Sequence, residues 1–239
     1  MSTSSIQAWV AIVGGLLTAI LGILRYFNYK SKRDRLAAVG AAFSATVQTL
    51  ASDNEIDRIA AAVLLRRFFE RRTEQGKGYR RETVEVIAGV LRQTQQSGPF
   101  QKALADSLRY AKKLISADLQ RCNLTDAYLG RKQGDKHRLN LSNADLFGAD
   151  CTGTSFREVI AIGTVFYQAK LEGAVFVGAK LQKADFRNAC LKGAQFSGAK
   201  IEGARFQGAR DVPPELSRLL SEDLVGLSGA WVGKAEIVQ

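Results

Sequence analysis

The side chains of this 239-residue chain that could carry covalent, metal or acid–base chemistry are three cysteines, one histidine and scattered carboxylates. Their spacing assigns them none of it. Cys122, Cys151 and Cys190 lie far apart with no Cys-x-x-Cys or His pair beside them, and an odd, scattered set argues against a disulfide framework. His137 stands in a basic stretch with Arg131, Lys132, Lys136 and Arg138 and has no second His or Cys pair nearby. It is read as a solvated residue of a protruding contact loop, neither catalyst nor ligand. There is no nucleophile motif, Walker loop or paired-carboxylate site. No metal and no cofactor are expected, and the chain is read as non-enzymatic. Arg66, Arg67, Arg71 and Arg72 form the densest basic cluster, but Glu70 and Glu74 among them favour a solvated helix end laced with ion pairs over an anion-binding patch.

With chemistry set aside, the dominant signal is a repeat. From Leu139 to Gly208 every fifth residue is inward by type, running Leu141, Leu146, Cys151, Phe156, Ala161, Phe166, Leu171, Phe176, Leu181, Phe186, Leu191, Phe196, Ile201 and Phe206. A small residue, usually Ala, stands two places earlier. In an extended chain residues two apart share a side, so each small–large pair faces one interior. Gly173, Gly178, Gly193, Gly198, Gly203 and Gly208 fall two places after the large residue, where a corner favours glycine. Each pentad is therefore one short side and one turn, and a self-similar array is a solenoid. Four sides per coil put Phe156, Phe176 and Phe196 in one column and Phe166, Phe186 and Phe206 in the opposite one. Three pentads centred on Leu119, Leu124 and Leu129 open the array, and Gly130 to Arg138 breaks its register.

The stretches SADLQ from Ser116, NADLF from Asn143, KADFR from Lys183 and NACLK from Asn188 resemble the A(D/N)LXX consensus of the pentapeptide-repeat proteins. The resemblance implies a right-handed quadrilateral β-helix. It also implies that protection of DNA gyrase, the role of that family's best-known members, be weighed, and that a C-terminal helix can mediate dimers.

Ahead of the array, Ile6 to Leu24 carries no charge and is long enough as a helix to reach across a bilayer. It predicts a single transmembrane helix, with Arg25, Lys30, Lys32, Arg33 and Arg35 on the anionic-lipid side. The positive-inside rule then places the N-terminus outside and the bulk of the chain in the cytoplasm. Ala11, Gly15 and Ala19, with Gly14, Thr18 and Gly22, form small-residue rows through which such helices could self-associate into a homo-oligomer. From Lys32 to Ile115 the period is helical. Leu36, Val39, Gly40, Phe43, Val47 and Leu50 make one face; Asp53, Glu55 and Asp57 start a second helix whose run Ile59 to Leu65 reads as central; further helices carry Val84, Ile87, Ala88 and Leu91, then Phe100, Leu104, Leu108, Ala111 and Ile115. These predict a small HEAT-like bundle abutting the first coil. After Asp211, Pro213 and Pro214 open a helix expected over Glu215 to Leu224, capping the last coil.

The expected fold class is α+β: a quadrilateral β-helix over 116–210 preceded by a transmembrane segment, 1–31, and a helical bundle, 32–115, and followed by a cap and tail, 211–239. Outward positions are mostly polar. Ile160, Ile162, Val165 and Tyr167 on two adjacent sides, with Val175 and Val177 on another, are the exception and form a candidate protein interface. Residues 116–210 hold fourteen Lys and Arg against nine Asp and Glu, the wrong sign for mimicry of DNA, and no nucleic-acid partner is expected. The function expected is a membrane-anchored scaffold or protein-interaction module. The alternatives are a membrane effector acting by oligomerisation of its helices and, behind it, a gyrase-binding protein.

Overall fold

The computed structural model describes residues 3–70, 78–135, 137–217, 219–220 and 225; the side chains of residues 3–20 and 217 lie outside that description. The chain divides into two compact units, Met1–Ala45 and Thr46–Gln239. Helix α1, Thr3–Thr49, is continuous, with no proline to stop it. Along its described part Leu21, Ile23, Leu24, Tyr26, Phe27 and Tyr29 are all exposed. Among the described residues no helix is long and apolar enough to cross a membrane. The span expected over Ile6–Leu24 gains no support there, and most of its side chains fall outside the description.

The second unit begins with short helices. Helix α2, Glu55–Leu64, is capped by Asn54, whose side chain accepts the N–H of Ile56 at 2.9 Å, with Glu55 and Asp57 in the first turn. The cap falls one residue after Asp53, where the sequence places the acidic start. Ala61, Ala62 and Leu65 are buried but Val63 and Leu64 are 42% and 40% exposed, so α2 buries one face only and is not central. A tight 3-10 turn, Leu65–Phe69, ends it. Helix α3, Arg80–Gln93, buries Ile87, Ala88 and Leu91. Helix α4, Pro99–Ser107, opens with proline in its first turn and buries Phe100 and Leu104. A second 3-10 turn, Leu108–Ala111, leads into the solenoid. Ile115, expected inside the bundle, is 48% exposed. Its neighbour Leu114 is buried instead, because the coil already starts there: Lys113 bridges Asn140 in parallel.

The solenoid is four-sided. Bridges pair residues 20 apart, as in Asn140 with Ile160 and Ile160 with Lys180, so each side stacks on the side four pentads later. Each side contributes one bridging residue, and among the described residues no longer strand forms. The backbone bonding repeats: the N–H of Leu141 donates to Ile160 at 2.7 Å, that of Asn143 to Ile162 at 2.9 Å, and that of Ile160 back to Leu139 at 2.9 Å. The corner closes when the N–H of Ala144 donates to the carbonyl of Leu141 at 2.8 Å. The third residue of that turn sits at positive φ, a type II corner; Gly198, at 71°, shows why glycine recurs there. Corners with a side chain, among them Asn143, Glu158, Gln168, Lys183 and Asn188, hold 56 to 59°.

Inside, every residue from Leu141 to Phe206 assigned to the interior by the pentad rule is fully buried. Phe156, Phe176 and Phe196 stack at 5.0 Å between centroids, as do Phe166, Phe186 and Phe206. The two columns meet edge to face across the core, Phe166 with Phe176 at 5.5 Å. Thr154 and Thr164 replace alanine inside, and each hydroxyl donates to a carbonyl of the preceding coil, at 2.6 and 2.8 Å.

Both ends are covered. Over the first coil, Arg92 of α3 donates to the carbonyls of Gln120 and Asp118 at 3.0 Å and pairs with the Asp118 carboxylate at 2.8 Å. Gln101 of α4 donates to the carbonyl of Asn123 at 2.9 Å, and Asp106 accepts the N–H of Tyr128 at 2.6 Å. The bundle thus takes up backbone groups that a free coil edge would expose. At the other end the described helix is only Pro214–Ser217, α5; Leu219 and Leu220 lie outside it. Leu216 is buried and Val225 pairs antiparallel with Arg205; of the helix expected over Glu215–Leu224, residues 218 and 221–224 lie outside the described residues.

Removing one ring from the stack tests this core. Phe176→Ala should lower the unfolding free energy by about 3–5 kcal/mol in urea titration, whereas Lys200→Ala, exposed on a wall, should change it by less than about 0.5 kcal/mol.

Candidate interaction surfaces

The Asp or Asn that precedes the inward residue has a local task. Asn140, Asp145, Asp150 and Asp185 each accept, through a side-chain oxygen, the N–H two residues on, at 2.9 to 3.2 Å. That N–H belongs to an outward residue and has no backbone acceptor. Ile160, Val165 and Val175 occupy the same place in their pentads and cannot accept it, so the N–H groups of Ile162, Tyr167 and Val177 are left to solvent. The apolar surface is thus among the places where the repeat gives up a local hydrogen bond, each worth about 0.5–1.5 kcal/mol, and it differs from Lys170, Lys180 and Lys200 at the same pentad place in being apolar.

All six residues of that surface face outward. Ile160, Val165, Tyr167, Val175 and Val177 are half-buried, and Ile162 is 36% exposed, the most of the set. Tyr167 is held by its own wall. Its ring stacks on Phe147 of the preceding coil at 5.7 Å and 13°, the Arg187 guanidinium lies 5.4 Å from its centroid, and Asn188 donates to its hydroxyl at 3.1 Å. The Arg121 guanidinium lies 5.8 Å from the Phe147 centroid. Asp185 fixes Arg187 with two bonds, of 2.8 and 2.7 Å; burial works against its charge, but those bonds hold its carboxyl below the usual range. Phe147 was not anticipated from sequence, although counting 20 back from Tyr167 along the column finds it.

The remaining candidates belong to α1 and to the basic stretches. Ala11, Gly14, Gly15, Thr18 and Ala19 have side chains outside the described residues; Gly22, at the end of their rows, has no neighbour within 4 Å of where a Cβ would stand. Arg25, Lys30, Lys32, Arg33 and Arg35 are exposed along α1. Arg71, Arg72, Glu74 and Lys136 also lie outside the described residues. Among those described there is no cluster of His, Cys, Asp or Glu fit to hold a metal ion.

The register break adds seven residues to the first coil, since Tyr128 bridges Ser155, 27 residues on, where later coils span 20. It leaves at Gly130, where a Cβ would stand 2.9 Å from the backbone N of Arg157. The insert is tied down by Arg109 to Asp135, by Arg131 to Glu158 at 2.9 Å and by Arg138 to Glu158 at 3.1 Å. Hydrogen bonding to these arginines lowers both carboxyl pKa values. Carboxylates depressed in the folded state stabilise above their unfolded values and lose that contribution as pH falls through the folded ones. Amide protection in the insert, measured as exchange relative to the intrinsic rate at each pH, should therefore fall on acidification below about pH 4, before that of the Phe-stacked coils responds. Equal exchange in both regions at every pH would contradict this.

The thiols are all covered. Cys122 and Cys151 are fully buried inside the coil; burial pushes Cys122 up to about 12 and Cys151 well above its ordinary value. Cys190 does face outward as its pentad place dictates, yet it is only 8% exposed, its sulfur 3.8 Å from Asp211, and burial raises it as well. All three should resist thiol reagents at pH 8 in the native state and react after denaturation.

Set beside known proteins, residues 140–178 and 169–208 match the family model for pentapeptide repeats, in 8 copies. The match spans well under half of the chain, and what it defines is the repeat segment, a pentapeptide-repeat solenoid. The chain is similar to the pentapeptide repeat protein Rfr23 of the cyanobacterium Cyanothece 51142, at 26% identity over 41% of this chain and 80% of that one, with a TM-score of 0.30. It is similar also to a pentapeptide repeat protein of the Arabidopsis thaliana thylakoid lumen, at 22% identity over 50% and 77% with a TM-score of 0.30. A third likeness is to HetL of Nostoc sp. strain PCC 7120, involved in heterocyst differentiation regulation, at 28% identity over 41% and 51% with a TM-score of 0.22. No curated protein matches the chain.

Proposed function

We propose that this chain is a non-enzymatic scaffold that docks a protein partner on the two adjacent solenoid sides carrying Ile160, Ile162, Val165 and Tyr167, with Val175 and Val177 on another. The observation that carries the reading is the substitution of β-branched apolar residues for the hydrogen-bonding Asp or Asn on consecutive sides of one coil. The fold itself gains nothing from an apolar residue that faces water there, whereas a partner would cover it. Gyrase binding by imitation of a duplex is disfavoured by the basic balance of residues 116–210.

The membrane-anchored form of this reading rests on the charge-free run Ile6–Leu24, the cations that follow it, and the exposure of Leu21, Ile23, Leu24 and Phe27 at 50 to 61% on α1. A bilayer, or a second copy of the helix through its small-residue rows, would cover that surface. Fractionation separates the cases: the anchored form sediments with membranes after a carbonate wash and is released when residues 1–31 are removed.

The docking reading is tested by affinity capture with the full chain and with Ile162→Asp combined with Tyr167→Ala. A partner should be retained by the first and lost by the second at equal solenoid melting temperature. Retention by both would refute the assignment of this wall.

A further inference from the structure

A second surface lies where the bundle, the seven-residue insert and the first side of the solenoid meet. There a cavity of about 880 Å³ is lined by Arg66, Arg67, Lys112, Lys113, His137 and Arg138, with Tyr110 and Ile160 supplying apolar wall. Glu70 is the one carboxylate in its lining. No single stretch of sequence announces it. Arg66 and Arg67 come from the turn after α2, the two lysines from the entry to the coil, and His137 and Arg138 from the insert.

The charges here are arranged against the interest of folding alone. The two acids nearest the insert are engaged in holding it: Asp135 pairs with Arg109, and Glu158 with Arg131 and Arg138. Arg66 is oriented by its bond to Ser107 at 3.1 Å and by its place 4.8 Å over the Tyr110 ring. Among the described residues Arg67, Lys112 and Lys113 have no carboxylate within ion-pair distance, and all three are exposed toward the cavity they line. Like charges gathered around one concavity repel, and an anion entering it removes that repulsion. The shape selects among anions. A long polyanion needs an unbroken cationic track, but the column leading away from the cavity runs Lys113, Asn140, Ile160, Lys180 and Lys200, so two uncharged rungs separate its lysines. The positive charge is therefore dense at the cavity and interrupted beyond its rim before Lys180 and Lys200 resume it. A compact, multiply charged anion satisfies both the volume and the donors, which include the guanidinium groups of Arg66, Arg67 and Arg138, suited to phosphate oxygens.

We propose that this cavity binds clustered phosphate groups, presented either by a soluble polyphosphorylated small molecule or by the headgroup of a polyphosphorylated lipid. The site goes beyond the docking wall and does not depend on it. Calorimetric titration of the full chain with tripolyphosphate, and flotation with phosphatidylcholine vesicles with and without phosphatidylinositol bisphosphate, separate the two sources. Lys112→Gln with Lys113→Gln should weaken binding about tenfold or more, and raised salt should weaken it further, while the melting temperature stays that of the parent. Binding of tripolyphosphate that falls in this variant assigns a soluble ligand. Binding confined to the bisphosphate vesicles, and lost in the variant, assigns a headgroup. Failure to bind either at low salt, binding indifferent to the variant, or tighter binding of a single-stranded oligonucleotide than of tripolyphosphate would overturn the proposal. Arg67→Gln, in a turn separate from the coil entry, repeats the comparison should the double variant fold poorly.

Discussion

Hydrogen bonding between coils whose bridged residues lie 20 apart is the constraint on which the molecule depends. Each side is too short to stand as a strand, so the amides of its bridging stretch are satisfied by the coils before and after it. A stack of this kind cannot tolerate a shifted register, since a slip of one pentad moves every wall to its neighbour's place. The aromatic columns enforce the same arithmetic from inside. Phenylalanines recur every ten residues, so each lands on another at 5.0 Å and meets the opposite column edge to face.

A rigid frame of this kind frees its outer positions. Two residues per side point outward and contribute little to closure, so their identities are available for other uses. The wall of Ile160 and Tyr167 and the cavity at the bundle junction are two such uses of opposite chemistry, one apolar and extended, one cationic and concave. Both require the coil to be closed at its ends. Arg92, Gln101 and Asp106 of the bundle act there as substitutes for a missing preceding coil, satisfying backbone groups of the first one.

The repeat was legible because its signal is periodic and redundant. Reading inward positions as every fifth residue placed Leu141 to Phe206 without error and paired the phenylalanines correctly. It stopped short at Leu114, because Lys112 stands where the pattern wants a small residue and the lysine side chain leaves the coil for solvent. In the bundle the reading was coarser. An apolar run such as Ile59–Leu65 does not say which face is covered, and α2 covers one. The function of the Asp or Asn before each inward residue was missed as well, since it concerns a backbone N–H that composition cannot reveal. The basic cavity was beyond reach for a different reason: its cations come from three segments, and only the seven-residue insert brings the last of them into place.

The register is the claim from which the walls, columns and cavity all derive, and it can be measured by deletion. A chain lacking residues 169–188 loses one full coil and should melt cooperatively with its sheet circular dichroism scaled to the shorter array. A chain lacking only residues 184–188 loses one side, which sets phenylalanine columns against leucine ones, and should melt broadly or fail to fold. Equal tolerance of the two deletions would contradict a four-sided stack.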